Sequence, residues 1–231
     1  MATHLKVSQL HHGRIVSIAD VCCRPRSRQC GGEEWSDAHQ VVFVRAGTFV
    51  KRQGRREVVA DPNQILFFNR DEAYRVSHPV DGGDDCTVFT FRTEILMDAV
   101  EVFRKHGEGR QPFEFGRAMN GQRTFLLHQR LRQFLLGGRN DSLAVEEASL
   151  TLLGRALADT YDARGFPPRH CRSATAEAHR EHAEATRLLL AARFAENLTL
   201  DDIAQSVHCS PFHLARVFRW TTSADATNRR C

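Results

Sequence analysis

The stretch TLDDIAQSVHCSPFHLARVFR, residues 199–219, decides the fold at the C-terminal end of the chain because it contains two helix starts separated by a short turn. Thr199 and Asp202 have the spacing of a capping box, in which each side chain bonds the other residue's backbone N–H. This spacing predicts a helix that begins at Leu200. The apolar pattern predicts a buried stripe of Ile203, Ala204 and Val207, with Asp201, Gln205 and Ser206 exposed.

The second half of the stretch predicts a tight reversal and another helix. His208 lies where a left-handed backbone is expected, and histidine tolerates that conformation better than a β-branched residue does. Ser210 is a preferred N-cap, and Pro211 follows at the first helical position, where a missing N–H costs nothing. The spacing predicts Leu214, Val217 and Phe218 on the inner face and Phe212, Ala215, Arg216 and Arg219 on the outer face.

Two helices joined by a short turn, with arginine and small or aromatic side chains near the start of the second, are typical of helix-turn-helix proteins that place a recognition helix in the major groove. An ordinary helical hairpin with solvated arginines is the alternative. From Glu177 onward, arginine and acidic residues are equal in number, seven of each. This balance predicts weak non-specific affinity for DNA, because neutralised phosphates supply most of that affinity.

The segments LTLDDIA, residues 198–204, and SPFHLARVFR, residues 210–219, resemble the first helix-turn-helix of the AraC-type transcription regulators. The likeness covers roughly residues 180–222, and its most specific part is the Ser-x-x-His-Leu-x-Arg-x-Phe run that begins at Ser210. The resemblance implies double-stranded DNA as a partner and a DNA-binding set of Ser210, Phe212, His213, Ala215, Arg216 and Arg219. In that set, Phe212, Ala215 and Arg216 would contact base edges and Arg219 a phosphate. A guanidinium can pair with guanine O6 and N7, so Arg216 is the leading candidate for base recognition.

The AraC-type regulators that the chain resembles have two helix-turn-helix motifs joined by a long helix. Here residues 223–231 have no apolar periodicity, and no second motif follows the first. This difference predicts a shortened gene product with an incomplete DNA-binding domain. The alternative function is therefore a sensor or dimerisation module without effective DNA binding.

The composition is that of a globular protein, because 42% of the 231 residues are hydrophobic and 26% are charged, with a net charge of +4. No apolar run reaches the length of a membrane span, and the N-terminus lacks the apolar centre of a signal peptide, so a cytoplasmic protein without membrane contact is expected. The seven cysteines are odd in number and do not indicate a disulfide framework. Cys22, Cys23 and Cys30 lie among arginines that would favour thiolates, which leaves a redox or soft-metal sensor and inert thiols as alternatives.

Residues 1–95 contain short apolar runs separated by turn signals, the pattern of a small β-barrel or jelly roll. His39 to Arg45 is nearly continuous in apolar residues, as in a strand that is buried on both faces. This region resembles the cupin-like sensor half of the same regulators, through Gly47-Thr48-Phe49-Val50, Gly54, Asp61-Pro62 and His78-Pro79. The predicted fold class is α+β, with a cupin-like β-barrel or jelly roll followed by helices and a C-terminal helix-turn-helix.

Cupin enzymes hold a metal through a His-x-His pair, a glutamate and a later histidine. The corresponding positions here are Thr48, Phe49, Lys51, Arg52 and Gln53, with Tyr74 at the later one. Without imidazole ligands at that spacing we expect no metal, no cofactor and no enzymatic activity. A small-molecule effector is expected instead, with Arg45, Tyr74, Arg75 and His78 as candidate ligand-binding residues and His39 beside them. Each of these residues has a surface or strand-capping role as its alternative, and Lys51, Arg52, Arg55 and Arg56 are predicted to form a solvated edge.

Helical periodicity begins near Thr93 and continues through a third predicted helix that contains the apolar seam Leu150, Leu153, Leu157 and Tyr161. That seam can pack on the barrel or on another subunit, and the resemblance implies a homodimer through this region. The predicted units are a sensor barrel at 1–95, a helical region at 96–164, a linker at 165–175, a partial DNA-binding domain at 176–222 and an irregular tail at 223–231.

Overall fold

The computed structural model describes residues 4–25, 31–103, 111–138, 141–162, 181–183, 185–186, 188–190, 192–193 and 196–217. Within them the fold is α+β, as predicted. The strands are β1 His4–His12, β2 Val16–Arg24, β3 Glu34–Trp35, β4 Gln40–Gly47, β5 Phe49–Gln53, β6 Arg56–Ala60, β7 Gln64–Phe68, β8 Ala73–Ser77, β9 Asp84–Phe91 and β10 Arg117–Met119. The helices are α1 Thr93–Glu101, α2 Gln122–Leu136, α3 Ser142–Asp162, α4 with the described helical positions between 181 and 192, α5 Leu200–Ser206 and α6 with residues 211–217.

The strands form two antiparallel sheets that pack face to face. The larger sheet has the order β1-β2-β9-β4-β7-β10, and the smaller one has the order β3-β8-β5-β6. Val42 and Leu66 of the larger sheet share an apolar cluster with Phe49 of the smaller sheet and with Val76, which packs against that cluster. This is the jelly-roll form of the predicted fold, and no closed barrel occurs in the part of the chain described.

The central strand β4 of the larger sheet is buried on both of its faces. Along β4, Val42 and Val44 belong to the cluster between the sheets, whereas Val41 and Phe43 belong to a second cluster with the helices. Successive side chains of a strand point to opposite faces, so an apolar residue is needed at every position. This two-sided burial is the reason for the nearly continuous apolar run, and it confirms the predicted strand.

The helices extend the second cluster without a break into the C-terminal end. Ile203 of α5 and Leu214 of α6 belong to the same cluster as Phe43 of β4. The seam of Leu150, Leu153, Leu157 and Tyr161 on α3 is buried there too. The side chains of this seam therefore pack against residues of the same chain, and the homodimer stays a prediction.

The described helices include none that is both long enough and apolar enough to span a lipid bilayer. The predicted first boundary, between residues 95 and 96, falls inside α1. The predicted linker at 165–175 and tail at 223–231 lie outside the described residues, and the division of the chain into domains stays a prediction.

Candidate functional site

The first helix of the helix-turn-helix begins where its sequence predicts. Thr199 Oγ1 accepts a hydrogen bond from the N–H of Asp202 at 3.2 Å, and the Thr199 N–H donates to Asp202 Oδ2 at 3.0 Å, which completes the capping box. The chain reverses after this helix at His208, whose φ of 55° is the left-handed conformation expected there. These local predictions are confirmed.

The second helix is also capped as predicted. The backbone N–H of His213 donates to Ser210 Oγ at 3.1 Å, and the backbone N–H of Leu214 donates to the carbonyl of Ser210 at 2.9 Å. Leu214 and Val217 are buried, in agreement with their predicted place on the inner face. Phe218 and Arg219 lie outside the described residues.

The outer face of α6 is not free, and here the sequence prediction is wrong. Phe212 and Ala215 were expected to face solvent, but they are only 5% and 6% exposed. The ring of Phe212 lies against α3, where a Cβ at Gly154 would be 3.7 Å from the ring atom Cε2. The Ser210 hydroxyl donates to Asp98 Oδ2 of α1. The helices α1 and α3 therefore cover part of the face that the resemblance assigns to DNA.

Ion pairs connect α5 to the turn between β1 and β2 and to the residue before α1. Arg92, which precedes α1, pairs with Asp201 at 3.2 Å, and Arg14 pairs with Asp202 at 3.0 Å. Asp201 is buried, in contrast to its predicted exposure. Both arginine side chains are well exposed, so each pair contributes at most about 1 kcal/mol.

Glu146 of α3 contacts the N-terminus of α5. Its side chain is completely buried, and its Oε2 accepts the backbone N–H of Leu200, the first residue of α5, at 3.0 Å. Burial raises the pKa of this carboxyl, and the nearby Asp201 and Asp202 add to the effect, whereas the bond from Leu200 opposes it. Because a carboxylate is favoured at a helix N-terminus, Glu146 acts as a second cap of α5 that is supplied by α3.

His213 and Arg216 are the predicted DNA-binding residues of α6 that keep partial exposure. The ring of His213 lies 6.0 Å from that of His182 on α4, with the two ring planes nearly perpendicular. Their DNA contacts stay predictions, as do those of the buried Phe212 and Ala215.

A capping-box variant tests the local architecture of this unit. We expect Thr199→Ala to lower the free energy of unfolding by about 1 kcal/mol, because the N–H of Asp202 loses its acceptor. Thr199→Ser keeps the hydroxyl and is the matched control. Chemical denaturation measures both, and an equal loss in the two variants would contradict the role assigned to the hydroxyl.

The candidate ligand-binding residues do not form one pocket. Arg45 shares Asp20 with Arg132 of α2, on the helix side of the larger sheet, whereas Tyr74 packs against the cluster between the sheets. Arg75 is exposed. His39 accepts the backbone N–H of Arg70 at 3.0 Å, which is the strand-capping alternative.

Lys51 is a buried cation that the sequence did not identify, because it was predicted to be part of a solvated edge. Its side chain is 2% exposed, and its Nζ donates to the carbonyl of Phe67 at 2.8 Å and lies 3.7 Å from the ring centroid of Phe68. Burial lowers the pKa of Lys51 to about 8, against a raising effect of Glu72. The two sheets therefore enclose the ammonium group of Lys51, which is at one of the cupin-type ligand positions.

His78 has polar partners of a different kind. Its Nε2 lies 2.6 Å from Asp84 Oδ1, and the thiol of Cys86 donates to Asp84 Oδ2 at 3.2 Å. Ligand atoms of Cys23, His78 and Asp84 all lie within 4.8 Å of one another. Their sequence separation gave no signal for this cluster, which depends on the pairing of β2 with β9.

The thiols on β2 are not biased towards thiolate, in contrast to the expectation from the neighbouring arginines. Burial raises the pKa of Cys23 to about 11, and the carboxylates of Asp84 and Glu34 add to it. A hydrogen bond with Asp85 raises the pKa of Cys22. Cys30 lies outside the described residues.

The comparisons return structures of the two kinds that the sequence resembles. The chain is similar to the AraC-like transcriptional activator CuxR, at 12% identity and a TM-score of 0.43, over 94% of this chain and 74% of that one. It is also similar to the EutQ protein of Clostridium difficile, at 11% identity and a TM-score of 0.34, over 40% of this chain and 71% of that one. A cupin domain from Bordetella pertussis has 11% identity and a TM-score of 0.31, over 38% of this chain and 94% of that one.

No protein-family model matches the sequence, and no curated protein does. At these identities and TM-scores the structural neighbours agree with the predicted resemblance but carry no argument about particular residues.

Proposed function

We propose that the chain is an AraC-type, sequence-specific DNA-binding regulator with a cupin-like sensor, and that the sensor's helical layer covers the recognition helix. The observation that carries this proposal is the contact of Phe212 with Gly154, because it places a residue of the predicted reading face against α3. DNA binding then requires α6 to leave α3. The proposal assigns no catalytic activity to the chain, and it expects a small-molecule effector, a homodimer and a cytoplasmic location.

The contact of Phe212 with α3 contributes a modest free energy to the covered state. Exposing a buried phenylalanine to water costs about 2–3 kcal/mol, and the two ion pairs of α5 add little because their arginines are exposed. A difference of this size leaves about 0.6–3% of the molecules in the uncovered state. The apparent affinity for DNA is reduced to that fraction of its intrinsic value, so release would strengthen binding about 30- to 160-fold.

Gly154 allows a clean test of this release. A methyl group fits there at ordinary contact distance, but a larger side chain would need the space of the Phe212 ring. Gly154→Leu and Gly154→Ala both improve helix propensity, and only the leucine variant should displace α6. We expect Gly154→Leu to bind a DNA site selected from a random duplex library at least about 10-fold more tightly than the wild type, with Gly154→Ala unchanged.

Hydrogen exchange of the α6 amides shows whether the leucine variant releases the helix. In that variant, Arg216→Ala should weaken binding of the selected site by about 1–3 kcal/mol and relax the preference at one base pair. If α6 is released in the leucine variant but its affinities for the selected and a scrambled duplex are equal at moderate salt, the proposed sequence-specific DNA binding is wrong.

The second candidate function is a sensor or dimerisation module that does not bind DNA. The burial of Phe212 and Ala215 favours it, since both residues are part of the main apolar cluster. Under this alternative, Gly154→Leu lowers stability and gains no affinity for any duplex. The same pair of variants therefore separates the two functions.

A further inference from the structure

Two neighbouring cross-strand pairs of the larger sheet have the same composition but different surroundings. Cys22 is paired with Asp85, and Cys23 is paired with Asp84, both between β2 and β9. Because successive side chains alternate, the two pairs point to opposite faces of the sheet. Asp84 faces the smaller sheet together with Cys86, two positions further along β9, which belongs to the cluster between the sheets.

His78 completes the inner pair from the smaller sheet. It follows β8, and it is buried together with Asp84. Tight backbone packing fixes this corner, because a Cβ at Gly83, which has a φ of 72°, would lie 2.0 Å from the carbonyl oxygen of Cys23. A thiol, an imidazole and a carboxylate thus converge from three strands or strand ends, with their ligand atoms all within 4.8 Å of one another.

We propose that Cys23, His78 and Asp84 form a site for a divalent transition metal, preferentially Zn²⁺. Zinc prefers thiolate, imidazole and carboxylate ligands and is usually four-coordinate, so three protein ligands leave one position for water or an exogenous ligand. On binding, the thiol of Cys23 forms a sulfur–metal bond and gives its proton to solvent, with no change of oxidation state. His78 Nε2 and Asp84 Oδ1, which now share a hydrogen bond of 2.6 Å, become metal ligands, and the proton of that bond moves to His78 Nδ1 or to solvent.

The three proposed ligands are not residues at the cupin-type ligand positions. Those positions include Lys51 and Tyr74, and Lys51 donates to the carbonyl of Phe67. Cys86 lies beside the proposed site, and its thiol donates to Asp84 Oδ2 at 3.2 Å. Cys86 therefore orients the carboxylate of Asp84 through Oδ2, so that Oδ1 faces the metal position.

The outer pair supplies a matched control for two of the three ligands, Cys23 and Asp84. Cys22→Ser and Cys23→Ser make the same change on opposite faces of β2, and Asp85→Asn and Asp84→Asn do so on β9. The full chain is stripped with a chelator and then titrated with Co²⁺, which reports thiolate ligation as a near-ultraviolet charge-transfer band and tetrahedral geometry as intense visible bands. Zn²⁺ affinity is measured by competition with a chromogenic chelator.

We expect one equivalent of Co²⁺ to give the thiolate band in the wild type, in Cys22→Ser and in Asp85→Asn. Cys23→Ser should abolish the band and weaken Zn²⁺ binding at least about 100-fold, and His78→Gln and Asp84→Asn should weaken it at least about 10-fold. Circular dichroism confirms folding, and Cys23→Ser is nearly isosteric at a half-buried position, so it should fold. A missing thiolate band, or one that Cys22→Ser reduces as much as Cys23→Ser does, would overturn the site.

Discussion

Asp20→Ala is expected to lower the free energy of unfolding by about 3–5 kcal/mol, because it leaves two largely buried arginines without their shared carboxylate. Asp20 Oδ2 accepts from Arg132 Nε at 2.9 Å and Nη2 at 2.7 Å, and it lies 3.5 Å from Arg45 Nη2. Oδ1 accepts from the hydroxyl of Thr87 at 2.9 Å. One side chain therefore joins β2, β4 and β9 to α2.

Thermal unfolding followed by circular dichroism measures this loss. For a chain of this size the expected decrease in Tm is about 6–20 °C. Glu57→Ala is the control, because it breaks an exposed pair with Arg52 at 2.8 Å and should cost less than about 1 kcal/mol. An Asp20→Ala variant as stable as Glu57→Ala would show that the arginines find water or other partners.

The parts of the fold that the sequence predicts correctly depend on short separations along the chain. Thr199 and Asp202 are three residues apart, and Ser210 caps a helix that begins at the next residue, so residue type and spacing suffice. The strand β4 is also predictable from its sequence, because burial on both faces requires apolar residues at successive positions. By contrast, the edge strand β1 exposes Leu5 and Val7, each at 58%, and its pattern gave no prediction.

The parts that the sequence does not predict depend on contacts between distant segments. Ser210 meets Asp98, and Leu200 meets Glu146, although 112 and 54 positions separate these pairs. Nothing in the spacing of α6 distinguishes a face turned to DNA from one turned to α3, since Phe212 and Ala215 suit either. The pairing of Cys23 with Asp84 likewise depends on the register of β2 against β9, which the sequence does not specify. A shift of one residue would move both side chains to other partners.

A buried imidazole should make the stability of the protein dependent on pH. His128 of α2 is 1% exposed, its ring is stacked on Phe43 at a centroid distance of 4.6 Å, and its Nε2 has no hydrogen-bond partner within the described residues. Burial lowers the pKa of His128 from 6.5 to about 4, and the positive charge of Arg45 adds to the effect. Protonating His128 in the native state would place a cation beside the aromatic core.

The sign of the effect is set by which state takes up the proton first. Between pH 6.5 and 4 the unfolded chain binds a proton at His128 and the native chain does not, so stability falls as the pH is lowered through this range. The difference in pKa corresponds to a loss of about 3 kcal/mol by pH 4. His11 and His39, whose pKa values burial also lowers, act in the same direction, whereas the raised pKa of Glu146 opposes them.

His128→Phe isolates the contribution of this residue, because phenylalanine preserves the stack on Phe43 and cannot titrate. We expect the variant to lose about 3 kcal/mol less than the wild type when urea unfolding is compared at pH 7 and pH 4. His12→Gln removes an exposed imidazole and is the control. Parallel pH dependences of His128→Phe and the wild type would contradict a neutral buried imidazole. Because α2 and α3 pack in one apolar cluster with α5 and α6, protonation of His128 is also expected to weaken the packing of α6.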